Sequence, residues 1–217
     1  MNASHTLFLL SVVSLLILLL APFTGLSDIT DQAIREQILY DIRLPRALFA
    51  FVAGCGLALC GMVFQAMFHN PLATPFTLGV ASGASFGAAL TVFLGLNVSL
   101  LGFDAITLGA FIGALAAISF VYGISQLHYS FSSETLLLTG VATSFFFSSL
   151  ILFTQYLSNI NDSFRIMRWL MGGLSTTGYQ SLIQLLPIVT LSTGIMLWLS
   201  RELNLLMAGD EIAISRG

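Results

Sequence analysis

RLPRALFAFVAGCGLALCGMVFQAMFHNPLATPFTLGVASGASFG, residues 43–87, holds two long apolar runs dense in glycine, joined by a short polar break at residues 69–75. Arg43 and Arg46 stand at its entrance. A bilayer helix needs ~20 apolar residues to cover ~30 Å of hydrocarbon, and runs of this length answer that need. Gly79, Gly83 and Gly87 recur every fourth residue, so two such helices can touch backbone to backbone, as helices do in lipid. The stretch therefore predicts two membrane helices with a break between them.

The rest of the 217-residue chain repeats this chemistry, with 57% hydrophobic and only 8% charged residues. Soluble domains carry roughly 25% charged residues, and a soluble fold with so few would expose large apolar patches. A net charge of −3 and no basic stripe argue against nucleic acid as a partner. All seven cations are arginine. Without lysine the chain has neither a Walker A phosphate loop nor a Schiff-base nucleophile, so any ATP must be bound by another subunit.

Six apolar runs predict an all-α polytopic membrane protein, with spans at about 7–22, 46–68, 77–97, 105–127, 135–157 and 181–200. The first is leucine-rich and suits a lipid-facing edge. Only His5 precedes it and no A-x-A site follows, so it is expected to be retained rather than cleaved as a signal peptide. Ala53, Gly54, Gly56, Ala58 and Gly61 give the second run a small-residue stripe, and Gly109 and Gly113 repeat the four-residue spacing in the fourth. The fifth carries Gly140, Ser144, Ser148 and Ser149 among aromatics, and the sixth has Pro187 at mid-length. Cys55 and Cys60 would point about 140° apart on a helix and read as small packing residues.

Between spans, residues 23–45 are polar, and IREQILYDIR reads either as a short surface helix or as a solvated loop. In residues 158–180, Phe164, Met167, Trp169, Leu170 and Met171 alternate with Arg165 and Arg168, which favours a short interfacial helix. The NPLATP break reads as a turn or as backbone that lines a pathway. The tail from Arg201 reads as a surface helix, a turn at Gly209, and a second helix starting at Asp210 and Glu211.

Catalytic readings find little support. Gly83-Ala84-Ser85-Phe86-Gly87 fits G-x-S-x-G, but a nucleophile elbow must join a strand to a helix. An intramembrane serine hydrolase using Ser85, with His128 as base, is the alternative from a different class. His5, His69 and His128 are isolated from one another, so no metal site is expected. No acid lies deep in a span, where a proton-coupled transporter would keep one.

Arg43-Leu44-Pro45-Arg46, the following GCGLALCGMVFQAMFHNPLATPFTLGVASGASFGAAL, Arg168-Trp169-Leu170-Met171-Gly172-Gly173-Leu174 and the terminal LNLLMAGDEIAISRG together resemble the FecCD-type permeases. These are the membrane subunits of ABC importers for iron siderophores, heme and cobalamin. The resemblance implies one permease domain over residues 1–217, with residues 201–217 as a cytoplasmic coupling segment. It also implies that the chain stops after six of about ten spans, the later ones repeating the earlier in inverted topology.

The same resemblance implies a bacterial inner-membrane, multi-pass location with the RLPR corner outside. The positive-inside rule alone would put the side carrying Arg35, Arg43, Arg46, Arg165 and Arg168 in the cytoplasm. Arg43 and Arg46 would dock a periplasmic or lipid-anchored substrate-binding protein by charge complementarity. Asn70, Leu72, Ser132 and Ser133 would form cytoplasmic gates. Gly209, Asp210, Glu211, Ala213 and Gly217 would couple to an ATPase present in two copies. Gly140 and Ser144 would line a pathway against a second permease subunit. The expected cargo is a ferric siderophore or related iron chelate, with cobalamin or heme as alternatives; the chain itself is expected to hold no cofactor.

Overall fold

The computed structural model describes residues 3–24, 31–71, 73–100, 102–126, 133–174 and 178–207. Helices dominate them: α1 (Ala3–Leu20), α2 (Gln32–Ile38), α3 (Leu44–Phe68), α4 (Val80–Phe93), α5 (Ala105–Gln126), α6 (Ser133–Leu157), α7 (Ile160–Met171), α8 (Gln180–Trp198) and α9 (Ser200–Met207). Among the described residues, five helical stretches are long and apolar enough to cross a membrane: Ser4–Phe23, Gln32–Phe68, Ala105–Gln126, Thr135–Leu157 and Gln180–Trp198. Their outward side chains are leucine, isoleucine and phenylalanine, as a lipid-facing surface requires. The all-α polytopic class read from the sequence holds.

Two elements differ from the sequence reading. The third expected span, 77–97, becomes a 14-residue helix, α4, about 21 Å long. Pro75–Leu78 forms a separate 3-10 turn, and Gly79 at φ 72 divides it from α4. At the other end Gly95 at φ 64 closes a Schellman motif: Leu96 N–H donates to the Thr91 carbonyl and Gly95 N–H to that of Val92. Glycine in the left-handed region at both ends confines the helix. Elsewhere the sequence left IREQILYDIR open between loop and helix. Here α2, a π turn at Leu39–Arg43 and α3 join into one 37-residue helical stretch.

By contacts the chain divides into two compact units, Met1–Ala58 with Leu174–Trp198, and Leu59–Gly173 with Leu199–Gly217. In the first, α8 lies against α3, where a Cβ at Gly56 would sit 3.3 Å from Val189 Cγ2. The second is built around α4, which touches α5, α6 and α7. Gly83 and Gly87 face Gly113 and Gly109 across the α4–α5 crossing. A Cβ at Gly87 would lie 2.1 Å from the Gly109 carbonyl oxygen, and one at Gly113 would lie 2.2 Å from that of Gly83. The four-residue ladder seen in the sequence is thus a backbone-to-backbone contact, which dispersion holds together in lipid. On another face of α4, Ala89 and Val92 bury Ile166 of α7, only 1% exposed. One side of the amphipathic α7 is thereby anchored, and Phe164, Met167 and Met171 stay exposed.

Candidate functional site

Pro45 sits inside a continuous helix, and its ring removes the N–H that would bond to the Asp41 carbonyl one turn back. The π turn accommodates it: Leu44 N–H donates to the Leu39 carbonyl. The freed Asp41 carbonyl accepts the Gly178 N–H at 2.7 Å, and Gly178 takes φ 71 to deliver it. Pro45 itself is buried. The carbonyl that Pro45 frees is therefore satisfied, and the RLPR corner is part of a hydrogen-bonded helix.

The two arginines of this corner differ. The Arg43 guanidinium donates from Nη1 to the carbonyls of Pro22, at 3.4 Å, and of Thr24. These carbonyls end the 3-10 turn that extends α1, so Arg43 caps the negative end of a helix. Arg46 is exposed. Of the two residues the sequence singled out for docking, Arg43 is partly committed to its own fold, and Arg46 stands with its charge in the open.

The second candidate centre lies in the other unit, where the NPLATP break meets α6. Asn70 offers its carbonyl to the Ala73 N–H at 3.0 Å, and Thr74 accepts both the N–H and the hydroxyl of Thr77. This turn seats on Gly140. A Cβ there would lie 2.2 Å from the Thr77 carbonyl oxygen and 2.8 Å from the Leu78 Cα. Gly79 in turn approaches the Gly140 carbonyl, Thr143 and Ser144. The structure thus brings Gly140 and Ser144 together with the segment just after Asn70. Gly140 is buried under the turn, and the Ser144 hydroxyl donates to the Gly140 carbonyl at 2.9 Å. Gly140 thus seats the break, and the Ser144 hydroxyl is bonded within its own helix.

What α6 does present openly is a different stripe. Leu138, Ala142, Phe145, Ser149, Leu152 and Tyr156 are all exposed and follow one another at alternating steps of four and three residues. That is the spacing of a helix–helix seam, with small residues at Ala142 and Ser149. The 4-3 spacing is present in the sequence, where Gly140 and Ser144 drew the attention instead. Between α5 and α6 opens a groove of about 660 Å³, lined by Phe120, Ile124, Thr139 and Phe146 among others.

Ser85 lies within α4, and the two glycines of its motif are consumed by contact with α5. It stands on no strand-to-helix elbow, so the hydrolase geometry fails. Among the described residues no three His, Cys, Asp or Glu side chains gather into a metal-binding group. Leu72, His128, Ser132, Gly209, Asp210, Glu211, Ala213 and Gly217 lie outside the described residues, as does the Ser133 side chain.

Long apolar helices of this kind make the chain a multi-pass membrane protein. The chain belongs to the FecCD transport family, whose sequence profile matches residues 6–217. Members of that family are ABC transporter permease subunits, not themselves enzymes. An ABC transporter permease protein of Bacillus subtilis, YvrB, is 38% identical over 85% of this chain and 52% of its own length. The molybdate import permease MolB of Haemophilus influenzae is 35% identical over 85% and 53%. The iron dicitrate permease FecC of Escherichia coli is 33% identical over 84% and 54%. A metal-chelate type ABC transporter solved in an inward-facing conformation superposes with a TM-score of 0.82 at 31% identity, covering 98% of this chain and 67% of that one. The chain spans about half the length of the curated relatives it matches.

Proposed function

We propose that this chain forms the membrane permease of an ATP-driven importer that carries a ferric siderophore or related iron chelate across the bacterial inner membrane. The reading rests on the family match over residues 6–217 and on the close superposition with a metal-chelate transporter. Its partners would be two copies of an ATPase, a second permease subunit and a periplasmic or lipid-anchored binding protein. In this reading the RLPR corner faces outward. Arg46 presents charge to acidic lobes of the binding protein, while Arg43 both joins that contact and keeps the corner in shape.

Transport would proceed by alternating access. Movement of the ATPases would reach the tail segment around Gly209, Asp210, Glu211, Ala213 and Gly217. The gates at Asn70 and Leu72, and at Ser132 and Ser133, would exchange in response. The pathway would run along the exposed stripe of α6, against the second subunit, with Gly140 and Ser144 supporting the gate turn from behind.

Cobalamin and hemin are the second reading, because relatives named for vitamin B12 and hemin import match at 36% and 33% identity. Uptake of radiolabelled ferric siderophore, cobalamin and hemin, measured in cells with the gene deleted and restored, separates them. Loss of siderophore uptake alone supports the iron reading. Loss of cobalamin or hemin uptake moves the assignment to that ligand, and unchanged uptake of all three contradicts the proposal.

A further inference from the structure

His69 holds an unusual backbone position. It follows α3 directly and has φ 48, in the left-handed region where glycine would fit without penalty. A side chain there costs about 1 kcal/mol, and histidine is among those that tolerate it best. Its ring reaches the Leu206 carbonyl, with Nε2 at 2.5 Å. A carbonyl only accepts, so Nε2 carries the proton. Leu206 lies in the last turn of α9, whose carbonyls lack helical partners. That turn holds no basic residue of its own, so His69 completes the helix end from 137 positions away in sequence.

We propose that His69 is a positioning residue that ties α9 to the NPLATP turn, so that a displacement of α9 is passed to Asn70 through a single peptide bond. The inference builds on the permease reading above, in which α9 leads into the coupling segment and the turn forms a gate. Two separate features point to it. The bent backbone at His69 aims the ring away from its own helix, and the ring lands on a carbonyl in the last turn of α9. The Asn70 carbonyl then holds Ala73, so the tie continues into the turn. Because His69 is exposed, the bond adds little to overall stability. Its value is in register.

Amide hydrogen exchange of the full 217-residue chain in lipid nanodiscs tests this with three variants. His69→Gly removes the ring and relieves the backbone, His69→Leu removes the donor alone, and His69→Gln keeps an N–H donor of similar reach. Exchange should rise about tenfold in residues 200–207 and also in residues 73–79 for the Gly and Leu variants. It should stay near wild type for Gln, and α4 and α5 should not change in any of them. A rise confined to α9 would make His69 a simple cap and overturn the tie. A rise spread through α4 and α5, no change at all, or a Gln variant that behaves like Gly would overturn it too. The exchange measurement needs no substrate, so an assembled transporter that fails to carry iron while the tie is intact counts against the permease reading instead.

Discussion

Pro45 and Pro75, two of the chain's five prolines, are accommodated in opposite ways. At Pro45 the helix continues: a π turn absorbs the ring, and the Gly178 N–H takes over the carbonyl that Pro45 leaves unpaired. Pro75 stands in the break after α3 has ended at Phe68: it opens a 3-10 turn, Gly79 in the left-handed region leads into α4, and that irregular backbone rests on Gly140. The first site is repaired by hydrogen bonds and yields a continuous 37-residue helical stretch that carries Arg43 and Arg46 beside the repair. The second is accommodated by removed side chains and yields a short helix with a turn beside it. A hydrogen-bond repair fixes one arrangement. A glycine seat is a smooth surface on which backbone can slide, which suits the region proposed to move.

This contrast can be broken by substitution, and the glycine seats should be the more sensitive. Gly87→Leu would drive a side chain into the Gly109 backbone, where no flexible group can yield. It should cost more than about 3 kcal/mol and abolish a cooperative melt in detergent. Gly140→Ala meets the Thr77 carbonyl in the same way on a smaller scale, and a loss of about 1–3 kcal/mol in reversible unfolding is expected.

At the repaired proline the effects should be smaller. Gly178→Ala meets no neighbour within 4 Å but must hold φ 71, so about 1 kcal/mol is expected, with faster exchange in residues 39–45. Arg43→Gln should loosen the end of α1 by about 1 kcal/mol, whereas Arg46→Gln should leave the melt unchanged and weaken binding-protein association. Equal melts for the two arginine variants would remove the distinction drawn between them. Gly61→Ala sets the lower end: nothing lies near it, and a slight gain in helix stability is expected.

Much of this was legible in the sequence because its signals are local and periodic. The length of the apolar runs marked the spans, and the four-residue spacing of Gly83, Gly87, Gly109 and Gly113 marked faces for close packing without saying which helices would meet. The shortening of α4 was harder to read, since Leu94-Gly95-Leu96 is apolar and continues the hydropathy of the helix that Gly95 ends. What stayed hidden depends on contacts distant in sequence. Nothing near Asp41 says that Gly178 will take its carbonyl, and nothing near His69 points to Leu206. Gly140 is a related case: a glycine in a membrane helix marks close approach, and only the fold shows that the object approaching it is the chain's own turn.

The proposed permease role requires the RLPR corner to lie outside the cell membrane and α9 within. Single cysteines introduced as Gln32→Cys and Glu202→Cys, in a background where Cys55 and Cys60 are serine, test this in intact cells with a membrane-impermeant maleimide. Residue 32 should label from the medium, and residue 202 should label only after the cells are opened. Labelling of residue 202 in intact cells with residue 32 protected would contradict the account.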